Sequence, residues 1–263
     1  MPDNVRGKRA AFRALHKEGC FRLPNPWDIG GIRRLEKLGF KALASTSAGA
    51  AWAMGRNDGE LALADVLEHL RSLCAATDLP VNADFEAGFA ADPEGVAANV
   101  SAAIETGIAG LSIEDRTGRS LYDLPVAVDR LKAARGAIAR SGQDVLLVGR
   151  SEGYLVGRTE LSATIERLVA YADAGADCLY APGITDLSAI RTLVSAVAPK
   201  PVNVLLIGPD LRVADLAEAG VRRVSVGGGL AAAAWAGFDR AARMFADEGR
   251  VPKRDQPASL TDP

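Results

Sequence analysis

Pro80-Val-Asn-Ala-Asp-Phe-Glu86 is a short apolar run that ends in two carboxylates; Asp92-Pro93 then opens a helix-patterned stretch before a second such run, Ala109-Gly-Leu-Ser-Ile-Glu-Asp115. Proline suits the first helical turn, where no backbone N–H is needed, so the strand-to-helix boundary is legible in the residues. The same beat extends in both directions. Cys20-Phe-Arg-Leu-Pro-Asn-Pro-Trp27 and Lys41-Ala-Leu-Ala-Ser-Thr-Ser47 precede it. Asp144-Val-Leu-Leu-Val-Gly-Arg150, Cys178-Leu-Tyr-Ala-Pro182, Pro201-Val-Asn-Val-Leu-Leu-Ile207 and Arg223-Val-Ser-Val-Gly227 follow it, with amphipathic stretches between. Eight strand-then-helix units predict an α/β chain folded as a (β/α)8 TIM barrel. An open doubly wound sheet shares the local pattern, but eight repeats within this length favour closure.

The chain has 263 residues, near the ~250 of one such barrel, which predicts a single domain over residues 1–250. Residues 251–263 turn to Pro, Lys, Asp and Ser and are expected to form a disordered tail. Asp28 is placed to cap a helix reaching about Leu38; further helices are expected from Glu60 to Ala76, with small residues from Ser47 to Asp58 forming a loop. With 48% hydrophobic and 24% charged residues, the chain can bury a full core. A net charge of -2 and the lack of a concentrated basic face argue against nucleic-acid or membrane-surface partners. Apolar stretches of strand length and the lack of an N-terminal signal pattern predict a cytoplasmic protein. Cys20, Cys74 and Cys178 stand far apart and read as structural, neither a disulfide framework nor a metal knuckle. His16 and His69 fall in helical stretches away from the strand ends, which makes them poor candidates for a catalytic base.

Residues at the C-terminal ends of barrel strands line one mouth. There the sequence places Trp27, Ser45, Thr46, Ser47, Asp84, Glu86, Glu114, Asp115, Arg150, Glu152 and Asn203. So many carboxylates repel one another and take up protons unless a cation sits among them. Oxygen donors without His or Cys point to Mg2+ or Mn2+, and magnesium needs only one direct carboxylate: Asp84, with Glu86 and Glu114 acting through water. The same carboxylates also fit a helix-capping and salt-bridge arrangement, in which Arg150 neutralises them. Arg150 equally suits bidentate capture of a substrate carboxylate. Ser45-Thr46-Ser47 either forms a turn or offers amides to an anionic oxygen. Gly227-Gly-Gly229 reads as close packing or as a phosphate loop.

Taken together, Leu43-Ala-Ser-Thr-Ser-Ala-Gly49 with Gly55-Arg-Asn-Asp58, Asn82-Ala-Asp-Phe-Glu-Ala-Gly-Phe89, Ser112-Ile-Glu-Asp115 and Gly149-Arg-Ser-Glu152 resemble the isocitrate lyase/phosphoenolpyruvate mutase superfamily. The resemblance runs from Asn25-Pro-Trp-Asp28 to Val226-Gly-Gly228, and the order of the motifs on successive strand ends makes it specific. It implies cleavage or formation of C–C or P–C bonds beside a 2-oxo acid, through an enolate stabilised by Mg2+. It also implies Asp84 as direct metal ligand, with Glu86, Glu114 and Asp58 in the water-mediated shell. Ser45 and the amides of Thr46 and Ser47 would hold the carboxylate or enolate oxygen, with Arg150 approaching the same group. Glu152, Trp27 and Asn203 complete the expected substrate contacts. Such enzymes commonly form tetramers that exchange a last helix, here Leu230 to Phe245, so a homo-oligomer, tetramer or dimer, is expected.

One departure stands out. The Lys-x-Cys-Gly-His motif of the lyases and the Lys-Thr-Asn-Ser of the mutases are both missing after the fourth strand, where Arg116-Thr-Gly-Arg-Ser-Leu-Tyr-Asp123 leads straight to Leu124. A short gate shields a reactive fragment from water less well, which disfavours a mutase. The leading expectation is a Mg2+-dependent lyase acting on a small 2-oxo or 2-hydroxy carboxylic acid, with Arg150, Glu114 and Asp58 in catalytic roles. The alternatives are phosphoenolpyruvate mutase-type P–C chemistry and a barrel that binds a 2-oxo acid without turning it over.

Overall fold

The computed structural model describes residues 3–253. Ten strands occur in chain order: β1 (Phe21–Leu23), β2 (Leu43–Ala44), β3 (Val81–Asp84), β4 (Gly110–Glu114), β5 (Arg116–Thr117), β6 (Ser120–Leu121), β7 (Leu146–Arg150), β8 (Cys178–Tyr180), β9 (Val202–Leu205) and β10 (Arg223–Ser225). Eight of them form one sheet in the order β1-β10-β9-β8-β7-β4-β3-β2, and every neighbouring pair is parallel. Between the two ends of that order, the Ala44 amide donates to the Pro24 carbonyl at 3.0 Å. Pro24 and Pro26 have no N–H to extend this into a ladder, which is also why β1 stops well short of the Trp27 expected from the sequence. The result is a nearly closed (β/α)8 barrel.

Helices α2 (Ile29–Lys37), α4 (Leu63–Ala75), α5 (Pro93–Ile104), α6 (Leu124–Ser141), α7 (Leu161–Asp173), α8 (Leu187–Ala196), α9 (Val213–Glu218) and α10 (Gly229–Glu248) alternate with the sheet strands. Asp28, Asp92 and Asp186 each accept a bond from a backbone amide of the helix they cap, and Pro93 stands in the first turn of α5. Two helices lie outside the eightfold strand-then-helix repeat. The expected small-residue loop from Ser47 contains α3 (Ser47–Ala53), capped by Thr46 Oγ1, which accepts from the Gly49 amide. The other is α1 (Asp3–Leu15), which lies ahead of the first strand and outside the eightfold beat. The tail expected from 251 onwards is irregular over 251–253, and its remainder lies outside the described residues.

Helix α1 plugs the N-terminal mouth. Phe12 is fully buried with Leu23, Ala42, Ala44, Ala109 and Leu146. A Cβ at Gly110 would stand 2.8 Å from both Phe12 Cε1 and Asn82 Oδ1, so glycine makes room for the plug. His16 sits edge-on to Phe12 and Phe21, with its Nδ1 2.8 Å from the Phe12 carbonyl. Burial, followed by the nearby Arg223 charge, lowers its pKa to about 3.

That shift has a stability consequence of definite sign. Between pH 6.5 and about 3 the unfolded chain binds a proton that the folded chain refuses, so His16 adds no penalty above 6.5 and destabilises progressively below it. The limiting slope is about 1.4 kcal/mol per pH unit. In urea unfolding across this range, His16→Gln is expected to lose stability less steeply on acidification than the wild type; equal slopes would show that His16 titrates normally.

Candidate active site

The acidic ends of β3 and β4 meet Arg150 at the end of β7. Arg150 Nη1 lies 3.0 Å from Asp84 Oδ1 and 3.4 Å from Glu114 Oε2, and Nε lies 2.6 Å from Glu152 Oε1. Its guanidinium stands 5.3 Å from the centroid of the Tyr180 ring. Register explains the meeting: Glu114 pairs with Arg150, and Arg150 with Tyr180, across adjacent parallel strands. Burial alone would lower the Arg150 pKa, but Glu114, Glu152 and Asp84 together hold it well above the usual value, so the side chain stays charged.

Asp84 is also gripped from β2 and α3. Its Oδ2 accepts from the Ser47 amide at 3.0 Å and from Ser47 Oγ at 2.9 Å, and Ser47 Oγ lies 3.2 Å from Asp58 Oδ1. The Asp84 amide donates to Ser45 Oγ at 2.8 Å. The Ser45 carbonyl accepts from Asn25 Nδ2, while Asn25 Oδ1 accepts from the amides of Val226 and Gly227. Asn25 therefore ties the ends of β1, β2 and β10 together. A Cβ at Gly228 would lie 3.1 Å from Trp52 Cη2, so this glycine loop is closely packed.

Two cavities open on these groups. The larger, about 330 Å³, is lined by Ser47, Asp58, Glu86, Glu114, Arg150 and Glu152, with Arg116 and Gly118 at the hairpin side. The smaller, about 140 Å³, shares Ser47, Asp58 and Arg150 and adds Ser45, Thr46, Asp84 and Asn203. Trp27 lines neither; its carbonyl accepts from His69 Nε2–H at 2.8 Å, which places a proton on that nitrogen. Thus the structure brings together Ser45, Thr46, Ser47, Asp58, Asp84, Glu86, Glu114, Arg150, Glu152 and Asn203, and leaves Trp27 aside.

Glu86 carries two marks of constraint. Its φ is +45°, in the left-handed region that a β-carbon disfavours, and Phe89 follows at +55°. Arg130 of α6 holds this loop by donating to the carbonyls of Ala87, between them, and Ala91, just beyond Phe89. Glu86 Oε1 is buried without a hydrogen-bond partner. Burial, with Asp84 and Asp58 nearby, pushes the Glu86 pKa up to about 7. Burial also raises Glu114, against the opposing pull of Arg150.

The gate position is occupied by the antiparallel hairpin β5–β6. Asp115, directly before it, is buried and accepts from Ser151 Oγ, the Glu152 amide, Tyr171 Oη and Arg167 Nη1. The sequence reading put Asp115 in the mouth; the structure turns it into the wall behind Glu152. It gave no site role to Asn25, Tyr180 or Ser225, although the period of two along their strand runs marks the last two as inward-facing.

The phosphoenolpyruvate phosphomutase family model matches residues 12–246, and the chain belongs to that family. The chain is an enzyme of the isocitrate lyase/phosphoenolpyruvate mutase superfamily, whose members include lyases and mutases. It is 45% identical to a Burkholderia cenocepacia J2315 protein of known crystal structure that is assigned, without an established activity, as a lyase/mutase, with a TM-score of 0.94 over 97% of this chain and 95% of that one. It is 32% identical to the 2-methylisocitrate lyase of Escherichia coli K12, over 71% of this chain and 66% of the relative. Oxaloacetate acetylhydrolase in complex with its product oxalate superposes with a TM-score of 0.88 at 25% identity, over 97% of this chain and 93% of that one.

Proposed function

We propose that this enzyme is a divalent-metal-dependent lyase that breaks a C–C bond in a small 2-oxo or 2-hydroxy carboxylic acid. The observation that carries the reading is the gathering of Asp58, Glu86, Glu114 and Glu152 around the larger cavity and of Asp84 on the adjoining smaller one, with Arg150 lining both. Among the described residues no three Asp, Glu, His or Cys side chains converge closely enough to ligate one ion directly. A hard cation that keeps most of its waters would need only Asp84 as direct ligand, with Glu86, Glu114 and Asp58 reached through water. The partnerless Glu86 Oε1 supports an oxygen-seeking cation, Mg2+ or Mn2+. When bound, it would supply Lewis acidity that stabilises the negative charge developing on the 2-oxo acid oxygen as the C–C bond breaks.

The protein's own part is to hold the acid and stabilise charge. Ser45 and the amide of Thr46 would face the substrate carboxylate, the Ser47 amide being held by Asp84 Oδ2, and Arg150 presents a fixed, charged guanidinium to the same end. Neither cavity is lined by a cysteine among the described residues, so cysteine acid catalysis has no candidate. Retro-aldol cleavage or decarboxylation fits better than transfer of a phosphorus group, because β5–β6 is too short to enclose a reactive fragment. Helix α10 exposes Trp235, Phe238 and Phe245, which fits a subunit contact in a homo-oligomer. Light scattering on a chain truncated before Leu230 is expected to report a smaller assembly; an unchanged mass would discard that role.

The function is tested by NMR-monitored incubation with Mg2+ and oxaloacetate, citramalate, isocitrate, methylisocitrate, phosphonopyruvate and phosphoenolpyruvate. Release of pyruvate, glyoxylate or succinate is the expected result. A rearranged phosphorus signal would move the assignment to P–C chemistry, and magnesium-dependent binding without turnover would favour a non-catalytic barrel.

A further inference from the structure

Inward positions of a TIM barrel are normally filled by layers of branched apolar side chains. Here Asn82, Asn203 and Arg223 occupy them, one period below Asp84 and Ser225. Arg223 is only 2% exposed. Its Nε donates to Asn203 Oδ1 at 2.9 Å, and Nη1 lies 3.4 Å from Asn82 Oδ1 and 3.5 Å from His16 Nε2.

All of these partners are neutral. His16 stays unprotonated, and burial raises the thiol of Cys178 and the phenol of Tyr180, so neither neighbour supplies a negative charge. Among the described residues no Asp or Glu forms an ion pair with Arg223; the carboxylates gather around Arg150 instead. A guanidinium held out of water needs an anion, because neutral hydrogen bonds alone recover too little of its lost hydration.

Arg223 also lines the smaller cavity, about 140 Å³, together with Asn82, Ser112, Asn203 and Ser225. The cavity is roomy enough for one carboxylate group or halide together with water. We propose that the floor of this cavity is a binding site for a compact monoanion, held by the Arg223 guanidinium and distinct from the Arg150 end. The anion is either a free inorganic ion or the carboxylate end of a bound acid. Capture of a free ion at Arg223 is independent of the reaction assigned above, whereas capture of a substrate carboxylate rests on it.

The test uses bromide, which is visible by anomalous scattering. Wild-type crystals soaked in sodium bromide are expected to show a peak within ion-pair distance of Arg223. The unfolding midpoint should rise by roughly 3 °C at a tenfold excess over Kd, relative to equal ionic strength of a sulfonate buffer anion too large for the cavity. Asn203→Asp supplies a carboxylate directly to Arg223 and is expected to abolish both responses; Arg223→Met, which removes the cation, should do the same. Displacement of bromide by oxalate would identify the anion as a substrate carboxylate, and simultaneous binding would identify a free ion; both support the site. Absence of the wild-type peak at Arg223, which decides the matter even if neither variant folds, or a wild-type response retained in Asn203→Asp, would overturn it.

Discussion

Asp84→Asn is expected to lower kcat/KM by about 10³-fold, roughly 4 kcal/mol of lost transition-state stabilisation, while the variant folds normally. Asp84 is the carboxylate on which the other site elements converge: Ser47 donates to it twice and Arg150 pairs with it. An asparagine oxygen can still accept from Ser47, but its amide nitrogen then faces the Arg150 donor. The structural loss is therefore about one hydrogen bond, of order 1 kcal/mol, too little to unfold the barrel. The chemical loss is larger, because the negative charge that draws a divalent cation into the cavity is gone. Asp58→Asn, farther out and linked to Asp84 only through Ser47 Oγ, should cost about 10–100-fold. The check is turnover in the NMR assay together with calorimetric Mn2+ affinity for wild type and both variants. Unchanged turnover and unchanged affinity in Asp84→Asn would reduce this cluster to a salt-bridge network.

The barrel was legible because its strands are short apolar runs and its helices begin at Asp28, Asp92-Pro93 and Asp186, local signals that the tertiary structure keeps. The acidic mouth was legible for a topological reason: strand ends share a mouth wherever they fall in the sequence. One helix, and the role of another, were not. Ser47–Ala53 is small and alanine-rich, with no apolar stripe to mark it, and its start depends on a threonine cap that also suits a turn. Helix α1 precedes the repeat, and Phe12 reveals its purpose only once Gly110 has cleared the space beneath it. Within the site, a sequence reveals charge but not partners. Arg150 and Arg223 are both arginines on strands, yet one meets three carboxylates and the other meets two amides and an imidazole. Asp115 follows Glu114 directly, and the alternation of a strand turns the two carboxylates in opposite directions, one to the cavity and one to the wall.

That wall carries the largest expected effect on stability. Asp115→Ala is expected to cost about 3–5 kcal/mol, because it leaves the Arg167 guanidinium without its carboxylate in a largely buried position. For a chain of this size the unfolding midpoint should fall by roughly 10 °C. Tyr171→Phe isolates one member of the same cluster: it removes the 2.6 Å bond from Tyr171 Oη but leaves Ser151, Glu152 and Arg167 on Asp115. Its cost should be nearer 1 kcal/mol. Activity should fall as well, and for a separable reason. The Asp115 carboxylate fixes the Glu152 amide at 2.8 Å, and Glu152 in turn fixes Arg150 Nε at 2.6 Å. Freeing the first contact lets Arg150 move, and a displacement near 1 Å at a substrate-orienting arginine can cost about 10²-fold. Assayed well below its unfolding midpoint, Asp115→Ala should therefore lose kcat/KM while Tyr171→Phe keeps it. A variant with wild-type stability would show that Arg167 finds another partner, whereas lost stability with full activity would show that Arg150 is held by Asp84 and Glu114 alone.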